Sequence, residues 1–234
     1  MEQRPIAFIP ARGGSRRVKN KNLVDLGGRP LLAHTIDTAR DSGVFGDVFV
    51  NSDSGEILDA AARFGGIPDS RPAHLAADEV RIIHVLQEFI ERRSIQPQTV
   101  IGILLVTCPL RHLEDIRKAY ALFGEKENKV PVASVTPFER PIEVAQRMTE
   151  DNRLTPVFSE EYLRTTRSQD HETAFWYNGA IIFNTAGQLV EQDTLIGHAP
   201  IAYQMPFERS FDIDHDFQVR VVELFFKEHG RGDQ

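Results

Sequence analysis

The stretch Ile6-Ala-Phe-Ile-Pro-Ala-Arg-Gly-Gly-Ser-Arg-Arg-Val-Lys-Asn-Lys-Asn22 joins an apolar run to a glycine-bearing loop dense in cations, and this junction decides how the chain is read. Ile6 to Ile9 reads as a short buried strand, and Pro10 ends it because proline has no N–H to give a sheet ladder. Gly13 and Gly14 let the backbone approach a ligand closely or take up positive φ, while Arg12, Arg16, Arg17, Lys19 and Lys21 supply closely spaced cations. Exposed N–H groups beside cations suit a polyphosphate. The loop is not a Walker loop, because no Gly-Lys-Ser/Thr closes it, and it lacks the G-x-G-x-x-G of dinucleotide sites. A solvated basic loop is the alternative, disfavoured by the strand and the paired glycines directly around it.

Working outward, apolar runs alternate with helix-like segments: a helix over Pro30–Ser42, a strand over Asp47–Ser52, a helix over Glu56–Phe64, a helix over Glu79–Arg93 and a strand over Val100–Thr107. That rhythm predicts βαβ units and an α/β fold with a mostly parallel sheet flanked by helices. Ile82, Ile83, Leu86, Phe89 and Ile90 recur at three- and four-residue spacing and place one helix face on the sheet. Ligands of such sheets collect at the carboxyl ends of strands, which here carry Arg12-Gly-Gly-Ser15, Ser52-Asp53-Ser54 and Thr107 to Arg111.

The pattern breaks after Val132–Thr136. Residues 139–172 are polar, interrupted by proline and without clear periodicity, and read as an insert between core segments 1–138 and 173–234. Regular structure resumes with the aromatic strand Phe175–Phe183, in which Gly179 marks a bulge or a close backbone approach. Ala199–Met205 is a further apolar stretch, and a helix over Phe217–Glu228 follows.

The chain has 234 residues, 41% hydrophobic, with a net charge of −7, so general attraction to nucleic acid or anionic membrane is not expected and the basic loop stands out as local. No run approaches a membrane span and no secretory signal pattern opens the chain, which makes the cytoplasm the expected location. The single cysteine, Cys108, excludes an intrachain disulfide and fits a reducing compartment. It follows a buried strand with no histidine in a recognisable motif, so a packed thiol is favoured over a nucleophile.

Asp212 and Asp214 flank Ile213, so in an extended segment both carboxylates face the same way and can share a divalent cation such as Mg²⁺. Helix capping by Asp214 or Asp216 is the competing role.

Taken in order, Ile9-Pro-Ala-Arg-Gly-Gly-Ser15, Lys21-Asn22, Gly28-Arg-Pro-Leu31, Ser52-Asp53, Arg71-Pro-Ala-His-Leu-Ala76 with Asp78, Thr107-Cys-Pro-Leu-Arg111, Asn178-Gly-Ala180 and Asp212-Ile-Asp214 resemble the acylneuraminate cytidylyltransferase (CMP-sialic acid synthetase) family over nearly the whole chain. The resemblance implies a Rossmann-like nucleotidyltransferase fold with a small dimerisation insert. It implies Mg²⁺-dependent transfer of CMP from CTP to the anomeric hydroxyl of a nonulosonic acid, with release of pyrophosphate. It also implies a homodimer in which the insert reaches over the partner's active site. By matching position, Arg12, Ser15, Arg16 and Lys21 hold the triphosphate, with Arg12, Arg16 and Lys21 the catalytic cations, and Gly13, Gly14, Asn22 and Asp78 belong to the nucleotide site. Arg71 and the backbone of residues 76–80 surround the cytosine; Asp212 and Asp214 bind Mg²⁺; Asn178 contacts the sugar; and Arg167 crosses the dimer interface.

The chain departs from the family on the sugar side. Leu105-Val-Thr-Cys108 stands where N-acetylneuraminate enzymes commonly read Leu-Gln-Pro-Thr, Ile182 replaces a usual tyrosine, Leu195 and Ile196 match paired aromatics loosely, and Glu143 falls near an expected lysine. Val80 and Ile82 stand where small or hydroxyl residues are frequent. An apolar side chain cannot replace an amide's hydrogen bonds, so a pocket of Leu105, Ile182, Leu195 and Ile196 is expected to favour a deoxygenated sugar of legionaminic or pseudaminic type. The alternatives are a cytidylyltransferase for an octulosonate-type acid and a non-catalytic nucleotide-binding protein of the same fold.

Overall fold

The computed structural model describes residues 4–15, 17–158 and 171–229. Its centre is a seven-stranded sheet in the order β11-β7-β10-β6-β1-β4-β5, formed by β1 (Ile6–Pro10), β4 (Asp47–Ser52), β5 (Ile67–Ser70), β6 (Val100–Ile103), β7 (Val132–Pro137), β10 (Phe175–Thr185) and β11 (Ile201–Gln204). β10 runs antiparallel to both neighbours, β6 and β7, and the other strands share one direction. The expected α/β architecture with a mostly parallel sheet is therefore what the chain adopts. Two short hairpins, β2–β3 (Asp25–Leu26 with Arg29–Pro30) and β8–β9 (Gln146–Met148 with Leu154–Pro156), lie outside the main sheet.

β1 shows why the sheet is covered on both faces. Ala7 and Ile9 join one buried cluster while Ile6 and Phe8 join the other, the period-two alternation of an extended strand. The first face carries α1 (Leu31–Asp41), α2 (Gly55–Arg63), α4 (Leu113–Glu125) and Val222 of the last helix, α6 (Asp216–His229). The second carries α3 (Ile82–Arg92) and α5 (Ala186–Gln192). In α3 the buried residues are Ile83, Val85, Leu86, Phe89 and Ile90, so the expected apolar face docks with one correction: Ile82 is only part-buried. The helix begins at Ile82 rather than Glu79.

Two further boundaries differ from the sequence reading. The strand expected over Val100–Thr107 pairs only to Ile103, after which Leu104 N–H donates to Phe8 O at 3.1 Å and the chain turns towards α4. β10 extends to Thr185, and its register shifts between Tyr177 and Ile182 around Gly179, whose φ is +71°. The bulge forecast at Gly179 is present. Between 139 and 172 the described residues form the β8–β9 hairpin with exposed Val144, Met148, Leu154, Val157 and Phe158, close in sequence to exposed Phe138 and Phe175. No helix among the described residues is long and apolar enough to cross a membrane.

Gly102 in β6 has no room for a side chain, because a Cβ there would lie 2.5 Å from Phe45 Cε1 and 2.9 Å from Phe183 Cε1. Those rings stack with centroids 5.8 Å apart and fill the core beside the central strands. Gly102→Ala is expected to destabilise the fold by about 1–3 kcal/mol, the usual cost of overpacking, read as a lower urea midpoint at unchanged slope.

Candidate active site

At the carboxyl edge of the sheet the ends of β1, β4, β5 and β6 border a cleft of about 430 Å³, lined by Arg12, Ser15, Arg17, Lys21, Asn22, Arg71, Asp78 and Leu105 among others. The loop after β1 is held from below and from both sides. Ala11 N–H donates to Asn51 O at 2.9 Å, Gly13 N–H donates to Asp53 Oδ1 at 2.9 Å, and Asn22 Nδ2 donates to Arg12 O at 2.8 Å. Neither Gly13 nor Gly14 takes positive φ, so that expected use of them is corrected. Gly13 instead avoids a contact, since a Cβ there would sit 2.9 Å from Ser54 Cβ, while Gly14 is open.

Lys21 joins the loop to the acidic segment. Its Nζ donates to Ile213 O at 2.8 Å and to Asp214 Oδ1 at 3.0 Å, and Arg17 Nη2 lies 2.9 Å from the same carboxylate oxygen. Ile213 is fully buried and its N–H donates to Thr107 O at 2.9 Å, which fixes the flanking aspartates against the end of β6. The Asp214 carboxylate is thus turned to cations, and the backbone N–H groups of Asp214 and His215 instead donate to Gln218 Oε1 at 2.7 and 2.8 Å. Burial raises the Asp212 carboxyl above the usual carboxylate range and the nearby Asp214 adds to the rise, against the hydrogen bond of Thr107 and the charges of Lys21 and Arg17. Asp212 Oδ1 is buried with no hydrogen-bond partner among the described residues.

On the opposite wall Arg12 pairs with Asp78, bringing the loop to the segment that follows Arg71. Arg71 is buried, with Nε donating to Asn51 Oδ1 at 2.7 Å and Nη2 to Asn51 O at 3.2 Å. Burial lowers its guanidinium pKa, partly offset by the charge of Asp53. Val80, Ile82, Val85 and Leu105 give this cleft an apolar wall.

The sugar-side expectations fare differently. Of Leu105, Ile182, Leu195 and Ile196, only Leu105 lines the cleft. Ile182 faces Ile103 in register and sits in the cluster under α3, with Leu195 and Ile196 packed against it, so the four do not form one pocket. Asn178 is 1% exposed and fully engaged within the protein: Oδ1 accepts from Ser134 Oγ at 2.6 Å and from Ala180 N–H at 3.1 Å, and Nδ2 donates to Ser210 Oγ at 2.9 Å. It ties β7, β10 and the segment after β11 together. Cys108 is a packed thiol, donating to Asn178 O at 2.9 Å and raised to about 12 by burial. Arg16 and Arg167 lie outside the described residues.

The structure adds residues that the motifs did not single out for roles. Arg17 reaches Asp214, Thr107 holds Asp212, and Arg111 donates to the carbonyls of Leu105 and Ala180, holding the turn after β6 to β10. Arg111 is nearly fully buried without a carboxylate in hydrogen-bond contact, and burial lowers it to about 10.

A cytidylyltransferase family model matches residues 6–225. The chain is 32% identical over 225 residues to pseudaminic acid cytidylyltransferase of Campylobacter jejuni, covering 95% of this chain and 96% of that one. It is 31% identical to N-acylneuraminate cytidylyltransferase of Escherichia coli over 95% of this chain and 52% of that longer protein. Among solved structures, CMP:2-keto-3-deoxy-manno-octonic acid synthetase complexed with CTP superposes with a TM-score of 0.72 at 13% identity, covering 97% of this chain and 100% of the other. The 4-diphosphocytidyl-2C-methyl-D-erythritol synthase structure gives 0.70 at 12% identity over 97% of this chain and 100% of its own. At these identities the superpositions speak to fold.

Proposed function

Because the chain belongs to the cytidylyltransferase family that includes the pseudaminic acid and N-acylneuraminate enzymes, we propose that it transfers CMP from CTP to the anomeric hydroxyl of a nonulosonic acid and releases pyrophosphate. The observation that carries this proposal is the bridge from Lys21 to Ile213 and Asp214, which brings the cationic loop bordering the cleft against the acidic segment.

In the forward reaction the anomeric oxygen attacks the α-phosphorus, the P–O bond to pyrophosphate breaks, and the hydroxyl proton leaves the nucleophile. Negative charge grows on the departing pyrophosphate, and fixed cations that meet it there lower the barrier. Lys21 and Arg12 supply such charge from part-buried positions, with Arg17 more exposed at the rim. Ser15 and the loop N–H groups orient the phosphates in the same way as other anion-binding loops.

The acidic pair fits Mg²⁺. Asp212 and Asp214 offer hard oxygen donors, the orphaned Asp212 Oδ1 leaves a buried carboxylate oxygen in want of a partner, and substrate phosphate oxygens and water complete the ligand set such an ion prefers. When bound, the ion polarises the α-phosphate and offsets developing charge. Burial raises the Asp212 carboxyl despite the charges of Lys21 and Arg17, and a divalent cation held there would favour its ionised form.

Leu105, the one expected sugar-side residue among the described ones that lines the cleft, supports an acceptor poorer in hydroxyls than N-acetylneuraminate, and a pseudaminic-type acid is the preferred class. Pyrophosphate release with CTP and Mg²⁺ is expected to be fastest with such a deoxygenated nonulosonic acid. Faster turnover of an octulosonic acid overturns that choice of acceptor, and no release with any acid of the panel overturns the activity. Asp212→Asn is expected to raise the Mg²⁺ concentration for half-maximal rate by at least ~10-fold, the loss of one charged ligand being worth more than about 1.4 kcal/mol. An unchanged metal titration rejects Asp212 as a ligand.

The insert over 139–172 is assigned to a homodimer interface, supported by exposed Val144, Met148, Leu154 and Val157 on and beside the β8–β9 hairpin. Analytical ultracentrifugation is expected to give twice the 26.4 kDa chain mass, and Met148→Asp with Leu154→Asp is expected to shift it to the single-chain value. A monomeric parent protein contradicts the assignment.

A further inference from the structure

Asp69 lies at the end of β5, with its side chain wholly removed from solvent, and takes no part in the chemistry described above. It is nonetheless the most heavily hydrogen-bonded carboxylate near the cleft. Oδ1 accepts from Arg92 Nη1 at 3.1 Å and from Arg93 Nε and Nη2 at 3.1 and 2.7 Å. Oδ2 accepts from Arg92 Nη2 at 2.9 Å and from Asn51 Nδ2 at 2.7 Å. Burial alone would raise this carboxyl, but the hydrogen bonds from Arg92, Asn51 and Arg93 outweigh it and hold the group below the usual carboxylate range.

The contact with Asn51 has a directional consequence. An amide presents an oxygen on one side and an NH₂ on the other, and which way it points is set by its neighbours. A carboxylate can only accept, so Asp69 compels the Asn51 NH₂ to face it and the Asn51 oxygen to face Arg71 Nε, 2.7 Å away. With Nε and Nη2 both bonded to Asn51, Arg71 is held in the lining of the cleft. We propose that Asp69 is a positioning residue for nucleotide binding, acting through the orientation of the Asn51 amide to hold Arg71 in its binding pose. The proposal rests on CTP occupying this cleft.

The decisive substitution is Asp69→Asn. Three arginine N–H donors meet Oδ1 against one, Arg92 Nη2, on Oδ2, so the new amide turns its oxygen to the three and its NH₂ towards Asn51. Asn51 must then reverse, which sets its NH₂ against the Arg71 N–H, two donors face to face. Isothermal titration with CTP measures the result. The Kd of Asp69→Asn is expected to rise by at least ~10-fold, the scale of a hydrogen bond to a charged group, and KM for CTP is expected to follow while kcat at saturating CTP stays within about twofold. In an Arg71→Ala background the same change is expected to add nothing, because the residue through which it acts has gone.

Arg92→Gln removes an ion pair of Asp69 while leaving the Asn51 contact, so it reports on the structural role alone: a lower Tm with unchanged CTP affinity is expected. Should Asp69→Asn fail to fold, Asn51→Ala removes the same link from the other side and is expected to reproduce the rise in Kd. A Kd unchanged in Asp69→Asn, or a full effect persisting without Arg71, overturns the positioning role while leaving CTP binding intact. Failure of the parent protein to bind CTP overturns both.

Discussion

Parallel pairing of β1 with β4 on one side and β6 on the other is the constraint from which the cleft follows. Parallel neighbours deliver their carboxyl ends to one edge, so the loop after Pro10, the Asp53 turn and the Leu105–Thr107 turn converge without any of them being near the others in sequence. β1 can occupy that central place because its side chains are apolar on both faces, and Pro10 closes it in register with Asn51, the Ala11 N–H making the next bond to Asn51 O. The acidic segment is then brought in from far along the chain by a single well-buried side chain, Ile213, and by the bond from its N–H to Thr107 O.

Electrostatics explains why the loop and the acidic pair hold together before any substrate arrives. Lys21 and Arg17 both meet the Asp214 carboxylate, so the cationic loop and the acidic segment offset part of one another's charge. Asp212 is left with a buried oxygen and a raised pKa, so the site has an uneven distribution of satisfied and unsatisfied groups. In the proposed reaction, polyphosphate binding would redistribute those partners, the cations gaining phosphate oxygens and the carboxylates becoming available to a metal.

How far this was legible depended on whether each signal was local. Strand β1, helix α1 and the bulge at Gly179 follow from apolar runs and glycine, whereas the meeting of the cationic loop with the Asp212–Asp214 segment was implied by the family resemblance alone. β5 was missed because it is a four-residue edge strand containing Pro68, and α4 although Leu113, Ile116, Ala119 and Phe123 carry helical spacing. The antiparallel direction of β10 left no mark, since it depends on the path taken by the long segment before it. Asn178 illustrates a harder limit: the resemblance implies a sugar contact there, while its amide bonds Ser134, Ser210 and the Ala180 N–H. Asn51 and Asp69 carry no motif at all, because their roles lie in which partner each oxygen meets.

Leu105 and Gly179 belong to one mechanical unit. A Cβ at Gly179 would lie 2.6 Å from Leu105 Cδ1, and the Leu105 N–H donates to Gly179 O at 3.4 Å. The cleft-lining residue proposed to meet the acceptor is therefore seated on the bulge of a core strand, one position from the Asn178 network. Selectivity encoded there is not portable as a surface loop. Exchanging it between relatives would require moving the β6 turn, the β10 bulge and the buried amide together, so acceptor preference is expected to diverge by coordinated steps in the core and not by drift at the rim.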